Sequence, residues 1–230
     1  MLGLLWTVPA SLPWWSGRPH HESTERPCYT GRMRLENVDY RYEPGLDTIA
    51  DTIRSLDRGR VLVGISGYGG AGKTTLAGAL SRRLECPVVP LDAFGTSALL
   101  HRSSDWHGFD RVRLQKQVLE PFSSGCPEIR YDACDDWESW ATAPVEWPVG
   151  RYLVVEGVGL FHPRQLGYLD YRIWLDVPLV RATAQGIARA RELGQDTDAL
   201  WQSIWEPNER DFERIFRPRE GAHRLVRPVS

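Results

Sequence analysis

The 230-residue sequence predicts an α/β fold in three layers, with a mainly parallel sheet between helices. Three observations predict it. Four short apolar runs, Val61–Ile65, Pro87–Leu91, Tyr152–Val155 and Tyr171–Leu175, lack polar alternation, as strands buried on both faces do. Segments of helical period separate these runs. A glycine-rich stretch joins the first run to the helix after it, at the end of the sheet where such folds bind ligands.

Taken in order, residues 1–32 read as a disordered tail, with Pro9, Pro13, Pro19, Pro27 and the pair His20-His21 but no sustained period. Met33 opens a better-patterned segment and is a candidate translation start, so residues 33–230 are expected to form a single domain. Leu46, Ile49, Ile53 and Leu56 recur at helical spacing ahead of the first strand. A helix is expected over Lys73–Leu84, a loop over residues 95–110, and a helix over Val112–Phe122 that stops near Ser123-Ser-Gly125. Residues 126–150 are rich in Asp, Trp and Pro, with little periodicity. Pro178 starts a long helix that ends at Gly194, because proline is tolerated in a first turn. A second helix spans about Thr197–Phe216 with an interruption expected at Pro207, and Leu225-Val226 closes a last strand. Asp176, just before Pro178, is expected to cap the long helix.

Composition narrows the partners. With 28 Lys and Arg against 30 Asp and Glu, the net charge is 28 − 30 = −2, which gives no electrostatic reason to expect nucleic acid or an anionic membrane. No apolar run is long enough to span a bilayer. Cys28, Cys86, Cys126 and Cys134 are scattered without a CxxC pair, so reduced thiols in a cytoplasmic protein are expected. A homo-oligomer is left open.

Gly67-Tyr-Gly-Gly-Ala-Gly-Lys-Thr74 fits G-x-x-x-x-G-K-[ST] at every fixed position, with a strand before it and a helix after it. Such a P-loop binds the phosphates of ATP or GTP with Mg2+. Gly67, Gly69, Gly70 and Gly72, with Ala71 between them, let the backbone bend until several amides converge on one anion. The helix beginning near Lys73 adds the positive end of its dipole. Lys73 neutralises phosphate charge, the Thr74 hydroxyl is a magnesium ligand, and Thr75 caps the turn beside the phosphates. Two acids follow strands at the ligand end of the sheet, Asp92 and Glu156. An acid there can hold magnesium, orient its waters or accept a substrate proton.

The chain resembles the uridine kinase-like branch of P-loop kinases, which includes phosphoribulokinase and bacterial pantothenate kinase. The resemblance spans about residues 60–228 and rests on the P-loop, Leu91-Asp-Ala-Phe94, Gly108-Phe-Asp-Arg111, Tyr131-Asp132, Val154-Val-Glu-Gly157 and Trp174-Leu-Asp-Val-Pro178. It implies a P-loop NTPase sandwich with a helical lid at about residues 179–196 and an acceptor insert at about 95–150. It also implies that Asp92 is the general base toward the acceptor hydroxyl, that Glu156 supports magnesium, and that Tyr131 and Asp132 touch the acceptor. Arg181, Arg189 and Arg191 lie where such kinases carry lid arginines, and Arg189 is taken as the catalytic one. Two departures stand out. The lid reads Ile187-Ala-Arg-Ala-Arg-Glu-Leu-Gly194 rather than pairing Arg with Asp. Ser103-Ser-Asp-Trp-His-Gly108 lacks the His-Pro pattern of true uridine kinases, which weakens uridine as acceptor more than it weakens kinase activity.

The expected activity is transfer of the γ-phosphoryl group from ATP to a hydroxyl of a small metabolite such as a nucleoside. Two other classes stay open at this point: a nucleotide-binding switch, and a binding module without catalysis.

Overall fold

The computed structural model describes residues 42–43, 45–134 and 136–228. The expectations for residues 1–32, Met33 and Cys28 lie outside the described residues. The chain runs through β1 (Tyr42–Glu43), α1 (Leu46–Arg54), β2 (Val61–Ser66), α2 (Lys73–Leu84) and β3 (Val88–Pro90). Two 3-10 turns, Leu91–Phe94 and Ser97–Leu100, lead to α3 (Arg111–Leu114), a π turn (Gln115–Leu119) and α4 (Glu120–Ser123). The hairpin β4 (Glu128–Cys134) and β5 (Thr142–Pro148) precedes β6 (Tyr152–Glu156), α5 (Pro163–Leu166), β7 (Tyr171–Leu175) and α6 (Leu179–Glu192). The chain then passes through α7 (Asp198–Leu200), a π turn (Trp201–Trp205), α8 (Glu206–Phe216) and β8 (Arg224–Pro228).

Six strands form one sheet in the order β1-β8-β7-β2-β6-β3. Every neighbouring pair is parallel except β1 with β8. The central strand β2 is buried at all six positions, because it has a strand on each side and helices above and below. β3 lies at the sheet edge, which is where a strand tolerates Pro90 and its missing N–H. From β2 to β3 the chain moves one way across the sheet, and from β3 through β6 and β7 to β8 it moves back. Right-handed crossovers therefore place α2 on one face and the later connections on the other. The fold is thus an α/β sandwich with a mainly parallel sheet.

Three details depart from the expectation. The stretch expected to lack periodicity is a two-stranded antiparallel hairpin, with Tyr131 opposite Val145 and Asp132 opposite Pro144. Its β5 alternates exposed and half-buried side chains, so no apolar alternation marks it in the sequence, and its prolines stand on a strand with one partner only. Pro207 does not break the helical run 198–216. A π turn precedes it, and another precedes Pro121, each ending two residues before its proline. Widening the turn accommodates the ring and the lost N–H bond that would otherwise kink the helix. Finally, Asp176 does not cap α6, whose N-cap is Pro178 without a side-chain bond. It accepts instead from Arg219 (Nε 2.8 Å, Nη2 3.1 Å) and Arg227 (Nε 2.8 Å).

Candidate active site

The P-loop leaves β2 at Gly67, which packs against the backbone at the end of β7, and enters α2 at Gly72. Gly70 (φ 80°) and Gly72 (φ 94°) both hold left-handed backbone, which explains glycine at these positions. Ala71 is buried and closes a turn by donating its N–H to the Tyr68 carbonyl at 3.1 Å. Thr75 sits in the first turn of α2, its N–H bonded to the Gly72 carbonyl at 3.1 Å.

Lys73 is buried, and its Nζ donates to the Tyr68 carbonyl at 2.8 Å, inside the loop. Burial lowers its pKa, while the charges of Glu156, Glu209 and Asp92 act against that and Arg189 adds to it. The Thr74 hydroxyl donates to Glu156 Oε1 at 2.9 Å. Glu156 is the last residue of β6, in register with Ile65 of β2 and Pro90 of β3. The Ser66 hydroxyl donates to the Gly157 carbonyl at 3.0 Å and ties the two strand ends together. Burial first, then the charge of Asp92, pushes Glu156 up to about 7, against the pull of Lys73, Thr74 and Arg189.

Asp92 lies in the 3-10 turn just beyond β3. Its side chain keeps contact with solvent yet has protein around it, so desolvation raises its pKa, opposed by Lys73 and Arg189. Lys73, Thr74, Asp92, Glu156 and Arg189 are therefore one electrostatic group assembled from the loop, two strand ends and α6. Arg191 is ion-paired with Asp198 on the far side of the helix end, leaving Arg189 as the arginine of that stretch whose charge reaches the group.

The hairpin residues have other surroundings. Tyr131 is buried and stacks on Phe94 at 5.4 Å, which couples the hairpin to the turn carrying Asp92. Burial pushes its phenol up to about 12. Asp132 is held from both sides by Gln117, whose Nε2 donates to Oδ2 at 2.9 Å while Oε1 accepts the Asp132 N–H at 3.0 Å. That carboxylate serves to fasten the hairpin to the helix before it.

Two residues with no motif join the loop. Glu209 of α8 accepts the Gly69 N–H on Oε1 at 2.7 Å, and a Cβ on Gly69 would lie 2.6 Å from the Trp201 ring. The helical segment 179–192 also rests on the loop: a Cβ on Gly70 would lie 2.1 Å from the Ala182 oxygen and 2.6 Å from the Gly186 nitrogen. The sequence signal for Glu209 is its spacing. Trp205, Glu209, Phe212 and Phe216 recur at four, three and four residues, so the acid sits on the apolar face of its helix.

Solved structures share this architecture. A possible uridine kinase from Bacillus stearothermophilus matches with a TM-score of 0.59 at 18% identity, over 78% of this chain and 96% of the other. A candidate fructose transport system kinase from Silicibacter sp. matches with a TM-score of 0.64 at 24% identity, over 78% of this chain and 98% of the other. D-glycerate 3-kinase from Cryptococcus neoformans matches with a TM-score of 0.52 at 11% identity, over 73% and 85%. The chain has the P-loop kinase fold. By sequence, no family model and no curated protein matches the chain.

This P-loop kinase fold fits a magnesium nucleotide on its own observations. The Gly69 amide already holds an anion-type oxygen at hydrogen-bond distance. Thr74 and Glu156 bring two oxygen ligands together beside the loop, the donor type that hard Mg2+ takes. No helix among the described residues is long and apolar enough to cross a membrane.

Proposed function

We propose that the protein is an ATP-dependent kinase acting on a hydroxyl of a small metabolite, with a nucleoside such as uridine or a sugar as the acceptor class. The observation that carries this reading is the Thr74–Glu156 hydrogen bond beside buried Lys73 at one loop, with the charges of Asp92 and Arg189 acting on that pair of groups. A bound nucleoside triphosphate with magnesium supplies the transferable phosphoryl group and neutralises part of its charge. Thr74 and Glu156 hold the metal. Lys73 and Arg189 contribute positive charge where negative charge spreads in the transition state. Asp92 accepts the proton of the acceptor hydroxyl as its oxygen bonds to the γ-phosphorus. The bond from that phosphorus to the bridging oxygen breaks, and the diphosphate leaves with the electron pair. Desolvation raises the pKa of Asp92, the direction that makes a carboxylate a stronger base.

The test is ADP release and product mass on a panel of nucleosides, sugars and sugar acids, with ATP and magnesium. Acceptor-dependent ADP release with a product heavier by one phosphoryl group is expected. Asp92→Asn should still bind nucleotide but lose roughly 10²–10⁴-fold in transfer, and Lys73→Ala should abolish it. Slow hydrolysis indifferent to every acceptor would favour a nucleotide switch and end the kinase reading; full transfer by Asp92→Asn would remove that residue as the base.

A further inference from the structure

Glu209 is a buried acid at the loop that the proposed reaction does not use. It is 3% exposed. Oε1 takes the Gly69 N–H at 2.7 Å across 140 residues of sequence, and Oε2 is buried with no hydrogen-bond partner. An unpaired buried oxygen is destabilising, so a feature unfavourable in itself is kept at the mouth of an anion site. A phosphate oxygen accepting from the Gly69 amide needs the same ~2.9 Å contact. It would coincide with Oε1, so the two cannot bind together. Trp201 closes the same side of Gly69, and Ala182 and Gly186 cover Gly70. The loop is capped by its own chain.

Resting on the reading of this loop as a nucleotide phosphate site, we propose that Glu209 occupies a phosphate position in the nucleotide-free protein and competes with the nucleotide for the Gly69 amide. Binding then requires α8 to withdraw Glu209. The same helix carries Asn208, whose Oδ1 accepts the Ser103 N–H at 2.8 Å and whose Nδ2 donates to the His101 carbonyl at 3.2 Å. Trp205 donates its Nε1–H to the Leu99 carbonyl at 3.0 Å. Withdrawal is therefore transmitted to residues 99–103, on the acceptor side of Asp92.

Competition by a carboxyl carries a proton with it. Burial pushes Glu209 up to about 8, with Lys73 of α2 and the Gly69 N–H pulling it down and Glu206 on its own helix pushing it up. Around that set, Arg189 of α6, Glu156 and Asp92 bear on Lys73, and the Tyr68 phenol is bonded to Glu213 of α8. A withdrawn Glu209 returns to its ordinary value of about 4.3. The capped form holds a proton that the nucleotide-bound form releases, so affinity rises with pH between those values, by up to about tenfold per unit.

Calorimetric titration with β,γ-imido-ATP and with inorganic tripolyphosphate, on the full chain, tests this. Glu209→Ala is expected to bind both probes about tenfold tighter or more at neutral pH, through loss of the competing acceptor, whereas Glu209→Gln, which keeps a neutral acceptor oxygen in the place of the protonated carboxyl, is expected to bind about as wild type does there. Their affinity should also lose the component of pH dependence that wild type has beyond the ionisation of the probe itself. Wild type should release close to one more proton per probe bound than Glu209→Gln, read from titrations in buffers of different ionisation enthalpy. Should a variant fail to fold, wild-type proton release in excess of the probe's own decides alone. Equal or weaker binding by Glu209→Ala, or no excess proton release, overturns the competition while leaving the phosphate site intact. No binding by any form, wild type included, overturns the phosphate site and this inference together.

Discussion

Replacing Gly70 by alanine puts a methyl group 2.1 Å from the Ala182 oxygen and 2.6 Å from the Gly186 nitrogen, both backbone atoms of α6. Ordinary contacts are near 3.5–4.0 Å, so loop and helix must part by roughly 1 Å or more. The backbone at φ 80° adds about 1–2 kcal/mol for a residue with a Cβ. Overpacking adds about 1–3 kcal/mol. The sum is about 2–5 kcal/mol, or a fall in Tm of roughly 5–15 °C for a domain of this size. Urea denaturation at equilibrium measures the first quantity and scanning calorimetry the second. Nucleotide affinity, by titration calorimetry, should fall as well, because the strained turn is the one that aims the amides. A loss of stability under about 0.5 kcal/mol would refute the reasoning. It would mean that α6 does not rest on the loop in solution.

Thr74→Val removes the donor that pairs with buried Glu156 and should cost about 1–3 kcal/mol in chemical denaturation. If the proposed function holds, it also raises the magnesium concentration at half-maximal turnover, whereas Thr74→Ser preserves both. Asp176→Asn should cost about 1 kcal/mol at pH 7, a modest figure because Arg219 and Arg227 are largely in water. Hydrogen bonds from Arg219, then Arg227, hold this carboxyl below its ordinary range. The stabilisation is thus complete above the unfolded pKa of about 3.9 and lost as pH falls through the lower folded value. Wild type and variant should converge below roughly pH 3 in acid titrations followed by circular dichroism. Phe122→Ala empties a side chain that is 1% exposed and lies 5.2 Å beneath the Arg60 guanidinium; about 3–5 kcal/mol should be lost in urea melts, against under about 1.5 for Phe122→Leu.

Most of the sheet was legible because its strands are buried on both faces, and burial writes itself into a run such as Val61–Ile65 or Tyr152–Val155. β8 was legible at Leu225-Val226, of which Val226 is buried and Leu225 exposed. The hairpin was not. β5 has a partner on one side only, so Thr142–Pro148 alternates weakly and includes two prolines that a central strand would exclude. Asp176 was misread because an acid before Pro-Leu-Val is locally a good cap; two arginines more than forty residues downstream outbid the backbone amides. Asp132 stood beside Tyr131 in a promising pair, but its partner Gln117 belongs to a different element.

The P-loop needs no more than its own eight residues: glycine conformations, one lysine and one hydroxyl are contiguous, and their chemistry is local. Asp92 and Glu156 follow from strand ends in the same way, since a parallel sheet delivers its carboxyl ends to one edge. What covers the loop is different in kind. Glu209, Trp201 and Gly186 reach it from helices more than one hundred residues later, and no pattern of neighbours along the chain specifies that meeting. Packing of α6 and α8 against the sheet decides it, because only a folded core brings a buried acid to a backbone amide at 2.7 Å.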